Sequence, residues 1–161
     1  MDLFSRYVVG YSVAENLATE NTTIPALKMA LRYRRPEPGL IFHSDGGGQY
    51  YSNAFKNLTR SKGIKNSMGT TPYENPNAER INGTIKNSYL RHYDPRTYTD
   101  LVKQTARAVR NYNDRPHASL KRVSPTEFEK MYKKMLKCAQ VRPLSEEPQN
   151  EYNGLAHIPT F

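Results

Sequence analysis

The chain has 161 residues, with 24 Lys+Arg against 15 Asp+Glu, which gives a formal net charge of +9 at pH 7. This length suits one domain, and no apolar run approaches the ~20 residues that a membrane span needs. The single cysteine, Cys138, excludes a disulfide framework and a thiolate metal site. The first residues contain neither a basic nor a long apolar stretch, so we expect no secretory signal and a cytoplasmic protein.

The positive charge is concentrated in the first part of the chain. Beyond residue 139 there are three glutamates and one arginine, and the proline, acid and amide content there predicts a loosely ordered tail over 140–161. Residues 1–139 are therefore expected to form the working domain. A basic surplus of this kind favours a polyanionic partner, most commonly nucleic acid, with an acidic membrane surface or plain solubility as alternatives.

The first half of the chain predicts alternating strands and helices. Residues 7–13 (YVVGYSV) are β-branched and aromatic and predict a strand, and a Thr-Thr-Ile-Pro start predicts a helix from there to about Arg35. Residues 40–43 predict a short buried strand, 52–62 a helix that ends at Gly63, and 64–68 a further strand. The expected order is strand, helix, strand, helix, strand.

The second half predicts three helices. Asn75-Pro76 is typical of a helix start, and this helix should reach about Tyr89 with Ala78, Ile81 and Ile85 buried and with a polar face. That face consists of Glu79, Asn82, Gly83 and Lys86.

The next helix should span about 98–112, with Val102, Ala106 and Val109 inward. It would expose a basic ridge of Lys103, Arg107 and Arg110. The last begins at a capping box, Ser124 to Glu127, and should bury Phe128, Met131 and Met135.

Two carboxylates stand out by position. Asp45 follows the predicted strand 40–43, and Glu79 lies one turn into a helix that follows a polar loop. Carboxylates that converge from a strand end and a nearby helix can hold Mg²⁺, which prefers oxygen ligands, and a pair of metals can assist phosphoryl transfer. The alternative is that Asp45 merely starts an Asp-Gly turn and that Glu79 lies on a solvated helix face.

Four motifs resemble those of retroviral-type integrase cores in bacterial insertion-sequence transposases. Residues 41–51 (IFHSDGGGQYY) resemble the family's His-Ser/Thr-Asp-x-Gly-x-Gln-Tyr motif, and residues 73–86 (YENPNAERINGTIK) resemble the helix that carries its catalytic Glu. Residues 2–11 (DLFSRYVVGY) are similar to its Asp-Leu-x-Ser-Arg strand pair. Residues 112–125 resemble its C-terminal Tyr-Asn-x-x-Arg-x-His signature.

The resemblance implies an α/β, ribonuclease H-like integrase core followed by C-terminal helices. It also implies Mg²⁺ or Mn²⁺ dependence, and cleavage and joining of DNA ends. Asp45 and Glu79 would be catalytic metal ligands, the second Asp and the Glu of the family's Asp, Asp, Glu triad. Nothing in this chain occupies the place of the first Asp, and the position of Asp2 is the family's non-catalytic one. We therefore expect a core that lacks its first strands and is inactive alone.

The resemblance also implies partners. These are DNA, both transposon ends and target, and further copies of the chain, with no membrane. The residues expected to contact DNA are Lys86, Arg80, Asn82, Lys103, Arg107 and Arg110. Two other interpretations stay open: a catalytically inactive DNA-binding or subunit-pairing remnant of a transposase, and a ribonuclease H-like nuclease that acts on RNA–DNA hybrids.

Overall fold

The computed structural model describes residues 1–69 and 75–141. An N-terminal loop and an irregular segment lead into the first helix, and from there on helices predominate. The elements are α1 (Thr23–Arg34), β1 (Ile41–Ser44), α2 (Gly48–Tyr51), α3 (Asn53–Ser61), β2 (Lys65–Met68), α4 (Pro76–Gly83), a π-helix (Thr84–Leu90), α5 (Arg91–Tyr93), α6 (Tyr98–Asp114), a 3₁₀ turn (Ala118–Leu120) and α7 (Pro125–Val141).

The strands β1 and β2 form a two-stranded parallel sheet, in which Ile41 pairs with Lys65 and Ser44 with Met68. The connection through α2 and α3 is the crossover that parallel strands require. The hydrophobic core beside this sheet consists of Leu27 of α1, Phe55 of α3 and Ile64, with partly buried apolar neighbours around them. The expected helix–strand–helix–strand order from α1 to β2 is therefore confirmed.

The strand that precedes Asp45 is less buried than we expected. Leu40 is 45% exposed and Ile41 65% exposed, while Ser44 is 3% exposed. An apolar run predicts burial on both faces only when neighbouring strands and helices cover it. In the part of the chain that the structure describes, the sheet has only β1 and β2, so the start of β1 stays uncovered.

Residues 7–13 do not form the strand that we expected. They form neither helix nor strand, and their backbone makes no ladder with another described segment. β-Branched and aromatic residues favour a strand because they pack well on a pleated sheet, and this preference depends on a neighbouring strand being present. The segment nevertheless packs closely on α1, because a Cβ on Gly10 would lie only 2.2 Å from the Ala26 carbonyl oxygen.

A single continuous helix from Pro76 to Tyr93 changes its pitch midway. It is α-helical in α4, π-helical from Thr84 to Leu90 and α-helical again in α5. A π-helix makes i→i+5 hydrogen bonds, so each residue turns through a smaller angle than in an α-helix. The face expected to carry both Glu79 and Lys86 is therefore displaced beyond Gly83, although Ile81 is buried as expected, with 8% exposure.

The two long C-terminal helices lie where expected but bury different residues. In α6, Val109 is 7% exposed, whereas Val102 is 40% exposed. In α7, Met131 and Met135 are 55% and 65% exposed, contrary to our expectation. The expected burial of this apolar stripe is therefore wrong at Met131 and Met135, because no element of the described residues covers that half of α7.

The expected boundary between residues 139 and 140 falls within α7, which continues to Val141. The rest of the predicted tail lies outside the described residues. Among the described helices, none has both the length and the apolar character that crossing a membrane requires.

The N-terminal loop is held against α1 and α7 by a partly buried polar cluster, which we call the Arg34 cluster: Asp2, Ser5, Arg34 and Glu129. Asp2 Oδ1 accepts hydrogen bonds from the backbone N–H groups of Phe4 and Ser5, at 2.9 and 3.0 Å. Ser5 Oγ donates to Glu129 Oε1 at 2.7 Å, and Arg34 forms an ion pair with the same oxygen and a longer one, 3.7 Å, with Asp2. The cluster joins three distant parts of the chain.

Candidate functional site

Asp45 lies immediately after β1, at the edge of the sheet where both parallel strands end. Its side chain is exposed, and its Oδ1 accepts a hydrogen bond from the backbone N–H of Gly47 at 3.2 Å. This is the Asx turn of the simpler alternative, and among the described residues only Oδ1 of the Asp45 carboxylate accepts a hydrogen bond. Gly46 adopts φ +75° here, and a Cβ on it would lie 3.2 Å from the Gly69 carbonyl oxygen.

The surroundings of Asp45 are held by both strands. The Gly69 N–H donates to the Ser44 carbonyl at 2.9 Å, and His43 Nδ1 lies 3.1 Å from Ser67 Oγ across the sheet. Burial and, second, the negative charge of Asp45 raise the pKa of Tyr50 above its usual value. The carboxylate therefore sits on a fixed turn beside a half-buried tyrosine.

Glu79 lies in the first turn of α4 and is exposed. Its carboxylate has no ion pair within 4 Å among the described residues. The helix is anchored from the N-terminal loop, because Arg6 Nη1 donates to Asn77 Oδ1 at 2.9 Å. A carboxylate near a helix N-terminus is favoured by the helix dipole, which is the structural role that the simpler alternative assigns to Glu79.

The two candidate ligands for a divalent cation are carboxylates. Asp45 and Glu79 are both exposed carboxylates, and carboxylate oxygens are the ligands that Mg²⁺ prefers. Within residues 1–69 and 75–141, no group of three or more His, Cys, Asp or Glu side chains lies close enough to hold a metal ion. The ligand type fits the cation, whereas a site built from three such side chains is absent from the described residues.

The six residues expected to contact DNA are all exposed. Arg80 and Asn82 lie on α4, Lys86 on the π-helix, and Lys103, Arg107 and Arg110 on α6. The π-helix packs against α6, so these side chains belong to neighbouring elements. The guanidinium of Arg107 lies over the ring of Tyr93, 4.8 Å from its centroid, which fixes one member of the ridge against α5.

The positive charge of Arg80 also acts on a buried tyrosine of α6. Burial raises the pKa of Tyr112, and the positive charges of Arg6 and Arg80 act in the opposite direction. The N-terminal loop and α4 therefore each contribute a positive charge to the surroundings of Tyr112.

Two residues of the C-terminal signature, His117 and Asn113, make contacts within the protein. His117 packs edge-on against Tyr112, with ring centroids 4.6 Å apart, and its Nε2 lies 3.3 Å from the Tyr112 carbonyl oxygen. Asn113 is 4% exposed and hydrogen-bonds the backbone of Val8 through both ends of its amide. Asn113 belongs to the motif found in the sequence. Its contact with Val8 was not predictable, because the two residues are 105 positions apart along the chain.

Comparison with known proteins gives a consistent result. Residues 1–73 and 62–125 each match the protein family described as "Integrase core domain". The chain is 33% identical over 138 residues to the "Insertion element IS600 uncharacterized 31 kDa protein" of Shigella sonnei. The matching region covers 83% of this chain and 50% of that protein. It is 34% identical over 135 residues to the "Transposase for insertion sequence element IS629" of Shigella sonnei, covering 82% and 45%.

A third relative is the "Transposase for insertion sequence element IS904" of Lactococcus lactis, 29% identical over 134 residues, with 81% of this chain and 53% of that protein covered. The chain thus spans about half the length of the curated relatives that it matches. Both integrase-core matches and the relatives agree with the four motifs, and the chain belongs to the integrase core family of insertion-sequence transposases.

Proposed function

We propose that this chain is the DNA-handling part of a transposase, and that Asp45 and Glu79 are two of the metal ligands with which the parent protein cuts and joins DNA. The observation that carries the proposal is the match of residues 1–125 to the integrase core. The finer fold assignment, a ribonuclease H-like core, is part of the same proposal, as is a cytoplasmic location.

The chemistry follows from where the carboxylates lie. Bound Mg²⁺ or Mn²⁺ would activate a water or a 3′-hydroxyl and stabilise the leaving oxygen. Asp45 offers its free oxygen from a turn that the Gly47 N–H holds in place, so little side-chain entropy is lost on binding. Glu79 is carried by a helix that Arg6 fastens through Asn77.

The basic side chains of α4, the π-helix and α6 would position the DNA. Arg80, Asn82 and Lys86 follow Glu79 along the same continuous helix, and the ridge on α6 lies beside that helix. Contacts to phosphates fix the register of DNA without reading its sequence. We propose that these residues hold the DNA backbone next to the two carboxylates, and that assembly on two transposon ends and a target requires more than one copy.

A second candidate function is a DNA-binding or subunit-pairing remnant without catalysis. The observation that favours it is the missing third ligand: no cluster of three His, Cys, Asp or Glu side chains occurs in the described residues. Two carboxylates leave the positive charge of a two-metal site poorly compensated. This candidate therefore shares the fold and the DNA surface but not the reaction.

Titration calorimetry with Mn²⁺ separates the two candidates. If Asp45 and Glu79 form a working half-site, wild-type protein binds the cation, and both Asp45→Asn and Glu79→Gln lose at least about tenfold in affinity, which is about 1.4 kcal/mol. Glu37→Gln is a matched control, because Glu37 is exposed and lies between α1 and β1. Equal binding by all four proteins, or no binding by any, would leave the remnant as the function.

A strand-transfer assay completes the test. We expect no Mg²⁺-dependent joining of transposon-end oligonucleotides by the 161-residue chain alone. Joining that is lost in Asp45→Asn would overturn this expectation and would show that two carboxylates suffice.

A further inference from the structure

An open recess of about 430 Å³ lies between the end of α3 and the start of β2. Three of its lining residues are positively charged, namely Lys56, Arg60 and Lys65, and none is acidic. The rest of the lining consists of Thr59, Gly63, Ile64 and Asn66. Among the described residues, none of the three cations has a carboxylate within 4 Å. The recess therefore concentrates positive charge that the fold does not neutralise.

The helix and the turn after it bring the three cations together. Lys56 and Arg60 are four residues apart on α3, so they lie on the same face of that helix, one turn apart. The Gly63 N–H donates to the Arg60 carbonyl at 3.0 Å, and the chain enters β2 at Lys65 directly after this turn. Like charges at this helical spacing repel each other. An anion bound between them would remove that repulsion.

The wall of the recess is fixed by the fold. Thr59 is 1% exposed, and its hydroxyl donates to the Lys56 carbonyl at 3.0 Å and accepts from Asn66 Nδ2 at 2.9 Å. The Asn66 side chain thus joins β2 to α3. Lys56 is partly buried, and its Nζ lies over the ring of Tyr51, 5.4 Å from the centroid. The spacing between Lys65 and the two cations of α3 is therefore set before any ligand binds.

The recess lies at the opposite end of the sheet from the candidate metal ligand. Lys65 pairs with Ile41, at the start of β1. Asp45 follows Ser44, the last residue of that strand. Three steps along a strand cover about 10 Å, so the recess and the turn at Asp45 are separated by about that distance along the sheet. A phosphate bound in the recess is therefore not the phosphate that reacts.

We propose that Lys56, Arg60 and Lys65 bind the phosphate backbone of duplex DNA at a stretch that takes no part in the reaction. An arginine guanidinium matches a phosphate with two parallel N–H donors, and a lysine supplies a point charge. Each DNA strand carries one phosphate per ~3.4 Å of helix axis. Cations spread over a helical turn and the neighbouring strand can therefore contact more than one phosphate, which a free phosphate ion does not offer.

Charge and access favour this occupant. Cations without carboxylate partners attract a polyanion, and the counterions that its phosphates release strengthen binding. Arg60 and Lys65 are exposed, so a long chain can pass across the recess without entering a closed cavity. Such contacts position DNA without reading its sequence. The inference rests on the proposed function, because it takes DNA as the partner, and it adds a surface outside both the candidate site and the ridge on α6.

Fluorescence anisotropy with a labelled duplex at several salt concentrations tests the proposal. Each phosphate contact contributes about 0.9 to the slope of log affinity against log salt. Lys56→Gln/Arg60→Gln should therefore lower the slope by about 2, and Lys65→Gln by about 1. Lys28→Gln/Arg32→Gln is the matched control, since it has the same residue types at the same spacing on α1, and both are exposed. Its slope should equal that of wild type.

Lysine acetylation, mapped by mass spectrometry, gives a second measurement on the wild-type chain and needs no variant to fold. Duplex DNA should slow the acetylation of Lys56 and Lys65 and leave that of Lys28 unchanged. Inorganic phosphate at the same phosphate concentration should protect none of the three. Far-UV circular dichroism establishes that the variants used for anisotropy are folded.

Three results would overturn the proposal. They are a wild-type slope in Lys56→Gln/Arg60→Gln, an equal loss of slope in the control on α1, and protection of Lys56 and Lys65 by inorganic phosphate as strong as by DNA. The last would make the recess a site for free anions. All three leave the proposed function intact, because the wild-type chain still binds duplex in each. A wild-type chain that binds no duplex at any salt concentration would overturn both.

Discussion

At the scale of single residues, Gly10 is the most closely surrounded of the described glycines. A Cβ there would lie 2.2 Å from the Ala26 carbonyl oxygen and 2.9 Å from the Ala30 nitrogen, both backbone atoms of α1 that cannot move independently. We expect Gly10→Ala to lower the free energy of unfolding by about 1–3 kcal/mol or more, as overpacking does. Urea denaturation followed by circular dichroism measures it.

Gly83→Ala is the control for that substitution. A Cβ at Gly83 meets nothing within 4 Å, and glycine weakens a helix interior by up to about 1 kcal/mol relative to alanine. This variant should be unchanged or slightly more stable. If Gly10→Ala also left the free energy of unfolding unchanged or raised it, residues 7–13 could not pack on α1 as closely as the structure has them.

Tyr7 makes stability depend on pH in the alkaline range. Burial, then a hydrogen bond with Tyr33, raises the pKa of Tyr7 to about 12. The folded protein therefore keeps this proton while the unfolded chain loses it above pH ~10, so the stability present below pH 10 falls as the pH rises towards 12. Because this side chain is only partly buried, solvent screening keeps the effect small.

The comparison of wild-type protein with Tyr7→Phe isolates this effect, since Tyr50 and Tyr112 also have raised pKa values. The urea midpoint of wild-type protein should fall more steeply between pH 10 and 12 than that of Tyr7→Phe. Parallel curves would show that Tyr7 titrates alike in the folded and unfolded states.

At the scale of elements, the Arg34 cluster fastens α7 to α1 and to the N-terminal loop. Burial lowers the pKa of Arg34, but the hydrogen bond and charge of Glu129 more than offset this and leave it raised. Glu129→Gln removes the charge while keeping the shape, and we expect a loss of about 1.5–3 kcal/mol, as for hydrogen bonds to charged groups. Thermal denaturation at neutral pH measures the loss.

Glu20→Gln controls for the change in net charge, because Glu20 is exposed and has no ion pair among the described residues. It should melt within about 0.5 kcal/mol of wild type. An equal shift in both variants would mean that the Arg34 cluster contributes no specific stability.

Elements whose signals are local were predictable from the sequence. Helical periodicity and caps located α1, α3, α4, α6 and α7 within a few residues, because those signals act within one or two turns. The prediction of a strand at residues 7–13 was wrong, because strand formation depends on a neighbouring strand. The predicted burial of Met131 and Met135 was wrong for a similar reason: an apolar stripe shows that another element can cover a helix, not that one does.

The candidate site was predictable only in part. The motifs placed Asp45 at the end of a strand and Glu79 in a first helical turn, as the structure has them. The π-helix after Gly83 was not foreseen, since nothing in its composition distinguishes it from an α-helix. Contacts between residues far apart in sequence, such as Asn113 with Val8, carry no local signal at all. The catalytic roles of Asp45 and Glu79 stay predictions.

At the scale of the whole molecule, the net charge of +9 should make the proposed DNA binding strongly dependent on salt. Each phosphate contact releases counterions and adds about 0.9 to the slope of log affinity against log salt. Replacing Lys103, Arg107 and Arg110 with glutamate should reduce that slope by about 2–3 if all three contact phosphates. Fluorescence anisotropy with a labelled duplex at several salt concentrations gives the slopes.

A second triple variant supplies the control. Lys130, Lys133 and Lys137 are equally exposed, and replacing them with glutamate changes the net charge by the same amount on α7. A slope close to that of wild type is expected. If both triple variants lost the same slope, the attraction would depend on total charge, and the ridge on α6 would have no special part in binding DNA.

The reach of the Arg34 cluster along the chain has a consequence for the order of folding. Ser5 and Glu129 are 124 residues apart, and Arg34 and Glu129 are 95 apart, whereas the pairs of the sheet are separated only by α2 and α3. Closing a longer loop costs more chain entropy, so we expect the sheet to form before Ser5 and Arg34 meet Glu129. During synthesis, the N-terminal loop can reach Arg34 and Asn77 before α7 has left the ribosome, and only its contact with Glu129 must wait for that helix.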